Sequence, residues 1–335
     1  MPQLRQDRLT QEWVFVAAKS APPEDLIVKR VRKPRLSLDP ACALCPNPGD
    51  RETSELLRMP SVGSVGWPMR TVALRASATS SAATTTPVPR LFRGDAGGLT
   101  LQEVIVETPD HSLHTALLPD SHLADVLRAI KARYDELSRD RRLAHVMIAK
   151  KYGAEAGAAF EHPHWQLVAT DTLPAQISVW LQHARRHYGK SGSCIFCAAL
   201  QEELEMQTRV VLAGDHFVAL EPYASPSPFC TQVYPRRHMA SFSEIGASEI
   251  QDLARILHGV VARFYHGLED PDFHCTLRTA PMVSAGAKYY HWSFNIVPCL
   301  ISATGPGREA CVNSVLPEIA AEFLRAMRVE QAIPA

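Results

Sequence analysis

The chain has 335 residues, 35 basic and 35 acidic side chains for a formal net charge of zero, and 46% hydrophobic content. These values suit a globular chain of one large or two ordinary domains. They exclude a basic field for nucleic acid, and no apolar run approaches the roughly 20 residues of a membrane span.

Taken in chain order, the opening "MPQLRQDRLTQEW" lacks an apolar secretory segment, so a cytoplasmic protein is expected. In a reducing compartment, paired cysteines point to metal or catalysis. Cys42 and Cys45 in "CALCPNP" form a CxxC pair, which suits one corner of a tetrahedral zinc site or a redox dithiol. His111 follows in "VETPDHSL". From Leu123, "LADVLRAIKARYDEL" carries apolar residues at helical spacing. Lys150 and Lys151 then precede a turn with Gly153 and Gly157, whose backbone can approach an anion closely.

The segment "EHPHWQLV" places His162, His164 and Gln166 in strict alternation, so in a strand all three share one face and Trp165 points to the other, into the core. The same series then recurs. Cys194 and Cys197 in "SCIFCAAL" lead to His238 in "VYPRRHMA", a helical pattern from Ile250, and His291 in "YYHWSFNIV". His111 and His162 are 51 residues apart, and His238 and His291 are 53. This spacing indicates an internal duplication, residues 1–185 and 186–335, each half with one Cys2His2 metal site. Thiolate with imidazole suits zinc best, with iron the alternative. Cys230, Cys275, Cys299 and Cys311 have no such spacing and are expected to be small buried hydrophobes.

The two copies differ at one telling position, where His164 of the first is Ser293 of the second. A metal ligand at His162 would pin the strand and hold His164 rigid. A neutral imidazole is a good nucleophile toward phosphorus, and a carboxamide at Gln166 can donate to a phosphoryl oxygen.

The motif "EHPHWQ" with "AGAAF" before it resembles the active-site motif of the galactose-1-phosphate uridylyltransferase family of the histidine-triad superfamily. "RLTQEWVFVA", "CALCPNPGD", "QEVIVETPDHS", "FVALEPYASPSPF", "YPRRHMASFSEI" and "HWSFNIVP" resemble family segments in the family's order, so the likeness covers most of the chain. The second metal set resembles the branch that includes plant ADP-glucose phosphorylase. The resemblance implies an α+β fold, an antiparallel sheet of two histidine-triad-like halves with helices packed on one face. It implies ping-pong transfer of a nucleoside monophosphate between a nucleoside diphosphate sugar and a sugar 1-phosphate through a nucleotidyl-His164, in a homodimer. The alternatives are a phosphorylase or hydrolase using the same histidine, or an inactive zinc-braced binding protein.

The departures from the family pattern cluster where substrate would lie. Leu74 stands where a nucleotide-pocket Asn is usual, and residues 76–86 are nearly all Ser, Thr and Ala, a composition that favours a mobile loop. Lys150-Lys151 replaces Lys-Asn, and Ala159 replaces Ser. At the sugar-phosphate end, "GPGREACVNSVLPE" keeps Asn313 and offers Arg308 as a phosphate contact.

Overall fold

A computed structural model describes residues 3–17, 21–30, 32, 34–46, 54–59, 69–78, 99–300 and 311–329. In chain order the elements are β1 (Gln3–Gln6), β2 (Trp13–Val16), β3 (Ser54–Met59), β4 (Met69–Ala78), β5 (Leu99–Val106), α1 (Asp120–Leu137), β6 (His145–Tyr152), β7 (His164–Thr170) and α2 (Ala175–Ser191). They continue with α3 (Ile195–Met206), β8 (Val210–Ala213), β9 (Phe217–Leu220), β10 (Thr231–Pro235), α4 (Ala247–Gly267), β11 (Asp272–Arg278), β12 (Ser293–Cys299), β13 (Cys311–Asn313) and α5 (Pro317–Ala326).

Ten of the described strands form one sheet in the order β3-β4-β5-β7-β6-β11-β12-β10-β9-β8, and every pairing in it is antiparallel. Read inward from either edge, the order is the same with the numbering shifted by five. The two runs meet where β6 pairs with β11, and Lys150 lies opposite Cys275 at the centre of that ladder, with Ala149 opposite Thr276 beside it. β13 joins β2 in parallel beside β1 to make a separate three-stranded sheet.

The alternation of each central strand decides what it buries. β6 sends Val146 and Ile148 into the core, β7 sends Trp165 and Leu167, and β12 sends Phe294 and Ile296. Against that face lie α1, through Leu123, Leu127 and Ile130, α4, through Leu253, Leu257 and Val260, and α5, through Leu324. The helical spacing read in the sequence thus marks the stripes that cover the sheet. Trp165 is 2% exposed with its ring edge-on to Phe294, as its place in the alternation requires. The opposite face is covered more sparingly: α3 packs Phe196 and Leu200 against Val218, Leu220 and Tyr234 near the β8 edge.

The expected loop over residues 76–86 needs correction at its start. Ala76, Ser77 and Ala78 are strand, paired with Leu101, Thr100 and Leu99, because the β5 backbone continues the hydrogen-bonding ladder there. Residues 79–86 lie outside the described residues, as does Arg308, and Leu74 lies within β4. Cys230 and Cys275 are buried as expected, whereas Cys299 is only half-buried.

Candidate active site and metal centres

The predicted metal ligands converge in two groups. Cys42, Cys45, His111 and His162 have their donor atoms within 4.8 Å of one another, and so do Cys194, Cys197, His238 and His291. The Sγ of Cys45 is 3.4 Å from Nδ1 of His111 and 3.5 Å from Nδ1 of His162. The Sγ of Cys197 is 3.3 Å from Nδ1 of both His238 and His291. A tetrahedral zinc with ordinary bond lengths has S···N edges of about 3.6 Å, so both groups fit the ion. The imidazole pairs also stand alike, with ring centroids 5.2 Å apart at 82° in the first group and 5.5 Å at 83° in the second.

The other ring nitrogens fix the orientation. Nε2–H of His162 donates to the Thr108 carbonyl at 2.7 Å, that of His291 to Pro235 at 2.9 Å, and that of His238 to Ala287 at 3.2 Å. A carbonyl only accepts, so each Nε2 carries the proton and each Nδ1 turns a lone pair toward the thiolates, the arrangement of a metal-ligating histidine. The fold explains why the ligands meet. The first CxxC turn lies near the end of β5, where Leu44 packs on Val104 and Val106, while the His111 amide donates to Ser37.

Two residues beyond His162, His164 begins β7 opposite Val106. Its Nδ1–H donates to the carbonyl of His162 at 2.6 Å. That bond fixes the tautomer and leaves the lone pair on Nε2, which is buried and has no partner among the described residues. Burial lowers the His164 pKa over the opposing hydrogen bond to His162, and the Lys150 charge acts in the same direction as burial. The ring of Phe160 stands edge-on against His164, with centroids 5.5 Å apart. Gln166 follows on the same face, half-buried, its amide without a hydrogen-bond partner among the described residues.

The two lysines part company. In β6 the Ala149–Gln166 pairing puts Lys151 on the face of His164. Lys150 must then point to the helix-covered side, where its Nζ meets Glu107 Oε1 at 2.6 Å with both side chains buried. Glu107 also accepts from the Thr115 hydroxyl at 3.0 Å. Lys151 reaches toward Gly157, and a Cβ built on that glycine would sit 3.9 Å from its ammonium. Gly157 has φ +68°, in the left-handed region that favours glycine, and Gly153, with φ +82°, lies so close to the Asp272 carboxylate that a Cβ would collide with it. Asn313 is buried away from these groups in the small sheet. Its Nδ2 donates to the carbonyls of Ser225 and Ser227, and its Oδ1 accepts from Val315, so its amide holds the chain rather than an open pocket. Glu107 was not singled out from the sequence. Its signal was a carboxylate directly after the apolar strand end "VIV", a place that demands a partner.

Comparison with known proteins agrees with this geometry. The family model described as galactose-1-phosphate uridyl transferase, C-terminal domain, matches residues 180–305. The ADP-glucose phosphorylase of Arabidopsis thaliana is 26% identical over 97% of this chain and 92% of its own length. The galactose-1-phosphate uridylyltransferase of Haemophilus influenzae is 28% identical over 90% of this chain and 86% of its own. The crystal structure of an Arabidopsis thaliana ADP-glucose phosphorylase with bound ADP-glucose superposes with a TM-score of 0.77 at 25% identity, covering 98% of this chain and all of that one.

Proposed function

We propose that the chain, which is similar to galactose-1-phosphate uridylyltransferases and to an ADP-glucose phosphorylase, moves a nucleoside monophosphate between a nucleoside diphosphate sugar and a phosphate acceptor through His164. The observation that carries this reading is the unpartnered Nε2 lone pair, held in one tautomer by the 2.6 Å bond from Nδ1–H to the His162 carbonyl. Nε2 attacks the α-phosphorus, a P–N bond forms, and the bond from that phosphorus to the sugar 1-phosphate oxygen breaks. An oxygen of the second phosphate then attacks the phosphorus and displaces Nε2. Gln166 is assigned to donate to a phosphoryl oxygen, and Lys151 with the Gly157 turn to hold the remaining charge. Lys150 is assigned to position this region through Glu107 instead of touching substrate.

We assign zinc to both Cys2His2 groups. Bound there, it would supply no step of the reaction. The first ion would fix His162, and with it the carbonyl that orients His164. We further read residues 1–185 and 186–335 as two related halves, a reading supported by the mirrored strand order, although α2 runs across that boundary and β13 returns to pair with β2. A second copy of the chain is the proposed cover for Leu4, Trp13, Phe15 and Val312, which are all exposed on the small sheet. Thiol ligands would persist in a reducing compartment such as cytoplasm.

The similarity to an ADP-glucose phosphorylase over nearly the whole chain favours inorganic phosphate as one acceptor to test, with sugar 1-phosphates. The deciding measurement is the intact mass of the protein after incubation with UDP-, ADP- and GDP-sugars. A mass gain of one nucleotidyl group is expected with at least one donor, and its absence in His164→Asn. No gain with any donor, or a gain that survives the substitution, sinks the proposal.

A further inference from the structure

The same face of the sheet carries a recess, partly open to solvent, in the other run of strands. It lies where the register places the counterpart of the His164 site. Gln166 pairs with Ala149, and Asn295 pairs with Thr276. Counting two residues along each strand from these pairs, His164 corresponds to Ser293 and Lys151 corresponds to Arg278. Arg278 and Ser293 are direct neighbours across β11 and β12. The second copy has therefore exchanged the nucleophile for a hydroxyl but kept a cation at the matching place.

The surroundings of Arg278 suit a ligand. Its guanidinium lies over the ring of Trp180 at 4.8 Å, and among the described residues no carboxylate pairs with it. Trp180 arrives from α2 and Phe196 from α3, giving the recess aromatic walls. The turn between β1 and β2 supplies Asp7 and Thr10 on another side, and the Asp7 Oδ1 already accepts from the amides of Leu9 and Thr10. A bare anion would meet Asp7 unfavourably, whereas a phosphate ester that also carries hydroxyl groups could satisfy both ends. Arginine forks onto phosphate oxygens, a carboxylate accepts from hydroxyls, and an aromatic wall packs against a sugar or base.

We propose that this recess is a second, non-catalytic site that binds a phosphomonoester of a sugar or ribose, with Arg278 on the phosphate, Asp7 on a hydroxyl and Trp180 against the ring. No bond is made or broken there, since Ser293 itself stands in the place of His164 and brings no imidazole nucleophile. The site does not depend on whether His164 becomes nucleotidylated.

The test is calorimetric titration of the full-length, metal-loaded protein with glucose 1-phosphate and AMP, with inorganic phosphate as the control. Two equivalents per chain are expected for at least one ester in the wild type. One equivalent should remain in Arg278→Gln, or the second should weaken at least about tenfold, with partial recovery in Arg278→Lys. Trp180→Phe should abolish the part of the tryptophan fluorescence change that accompanies the second equivalent. Unchanged metal content and nucleotidyl adduct in Arg278→Gln separate this site from that of His164. A single equivalent in the wild type that persists in Arg278→Gln, or two undiminished in Arg278→Gln, overturns the proposal, whereas a single equivalent lost in Arg278→Gln supports it. Equal affinity for inorganic phosphate overturns the assignment of a sugar ester.

Discussion

Among single residues, Lys150 shows how charge and burial combine. Its ammonium and the Glu107 carboxylate are 3% and 0% exposed. A buried pair of this kind adds little net stability, but removing one partner strands the other charge in a low dielectric. Lys150→Met should therefore cost about 3–5 kcal/mol in urea unfolding, and adding Glu107→Leu should return most of it. If the double variant is as unstable as the single one, the stranded charge is not the cause. Lys150 and Lys151 are also a case where the sequence was more legible than their adjacency suggests. Two consecutive strand residues must face opposite sides, so only one of them could share the face of His164. Which one it is depended on the β6–β7 register, which a sequence does not print.

At the level of elements, α1 and α4 are joined by more than their apolar stripes. His258 on α4 pairs its Nδ1 with the Asp120 carboxylate on α1 at 2.7 Å and donates from Nε2 to the Ala116 carbonyl at 2.9 Å. Burial by itself lowers the His258 pKa, but the hydrogen bond and charge of Asp120 outweigh it, and the net shift is upward. A raised folded-state pKa means that the contribution is complete below the unfolded value of 6.5 and is lost as pH rises through the higher folded one. Wild-type protein should lose more stability between pH 6 and pH 9 than His258→Gln does, as read from denaturant midpoints at each pH. Equal losses would remove His258 from the account. The two helices were legible because their apolar spacing repeats at 3.6 residues. Their joint by His258 was not, because it unites residues 138 positions apart.

For the whole molecule, the two metal groups tie distant parts of the chain together. Cys45 meets a histidine 117 residues away, and Cys197 one 94 residues away. Closing such loops is entropically costly without a bound ion, so metal affinity and fold stability are coupled. Elemental analysis should find two zinc equivalents per chain, and chelation should lower the thermal midpoint. Cys197→Ser should retain one equivalent and still form the His164 adduct, whereas Cys42→Ser should lose the adduct as well, because only the first group holds His162. An adduct undiminished in Cys42→Ser would separate the metal from the positioning of His164.

By itself the sequence determined the eight Cys/His residues and the alternation of His162, His164 and Gln166. These signals are local or periodic: a CxxC turn, a period of two, a period of 3.6, and a series that occurs twice. Tertiary structure alone decided that Asn313 spends its amide on backbone carbonyls, that Ala76–Ala78 extend a strand, and that Lys150 is claimed by Glu107. It also decided that Arg278 occupies the place of Lys151 in the second run. Each of these depends on which strand lies beside which and in what register. That is set by burial of the whole sheet against α1 and α4, not by any stretch of residues alone.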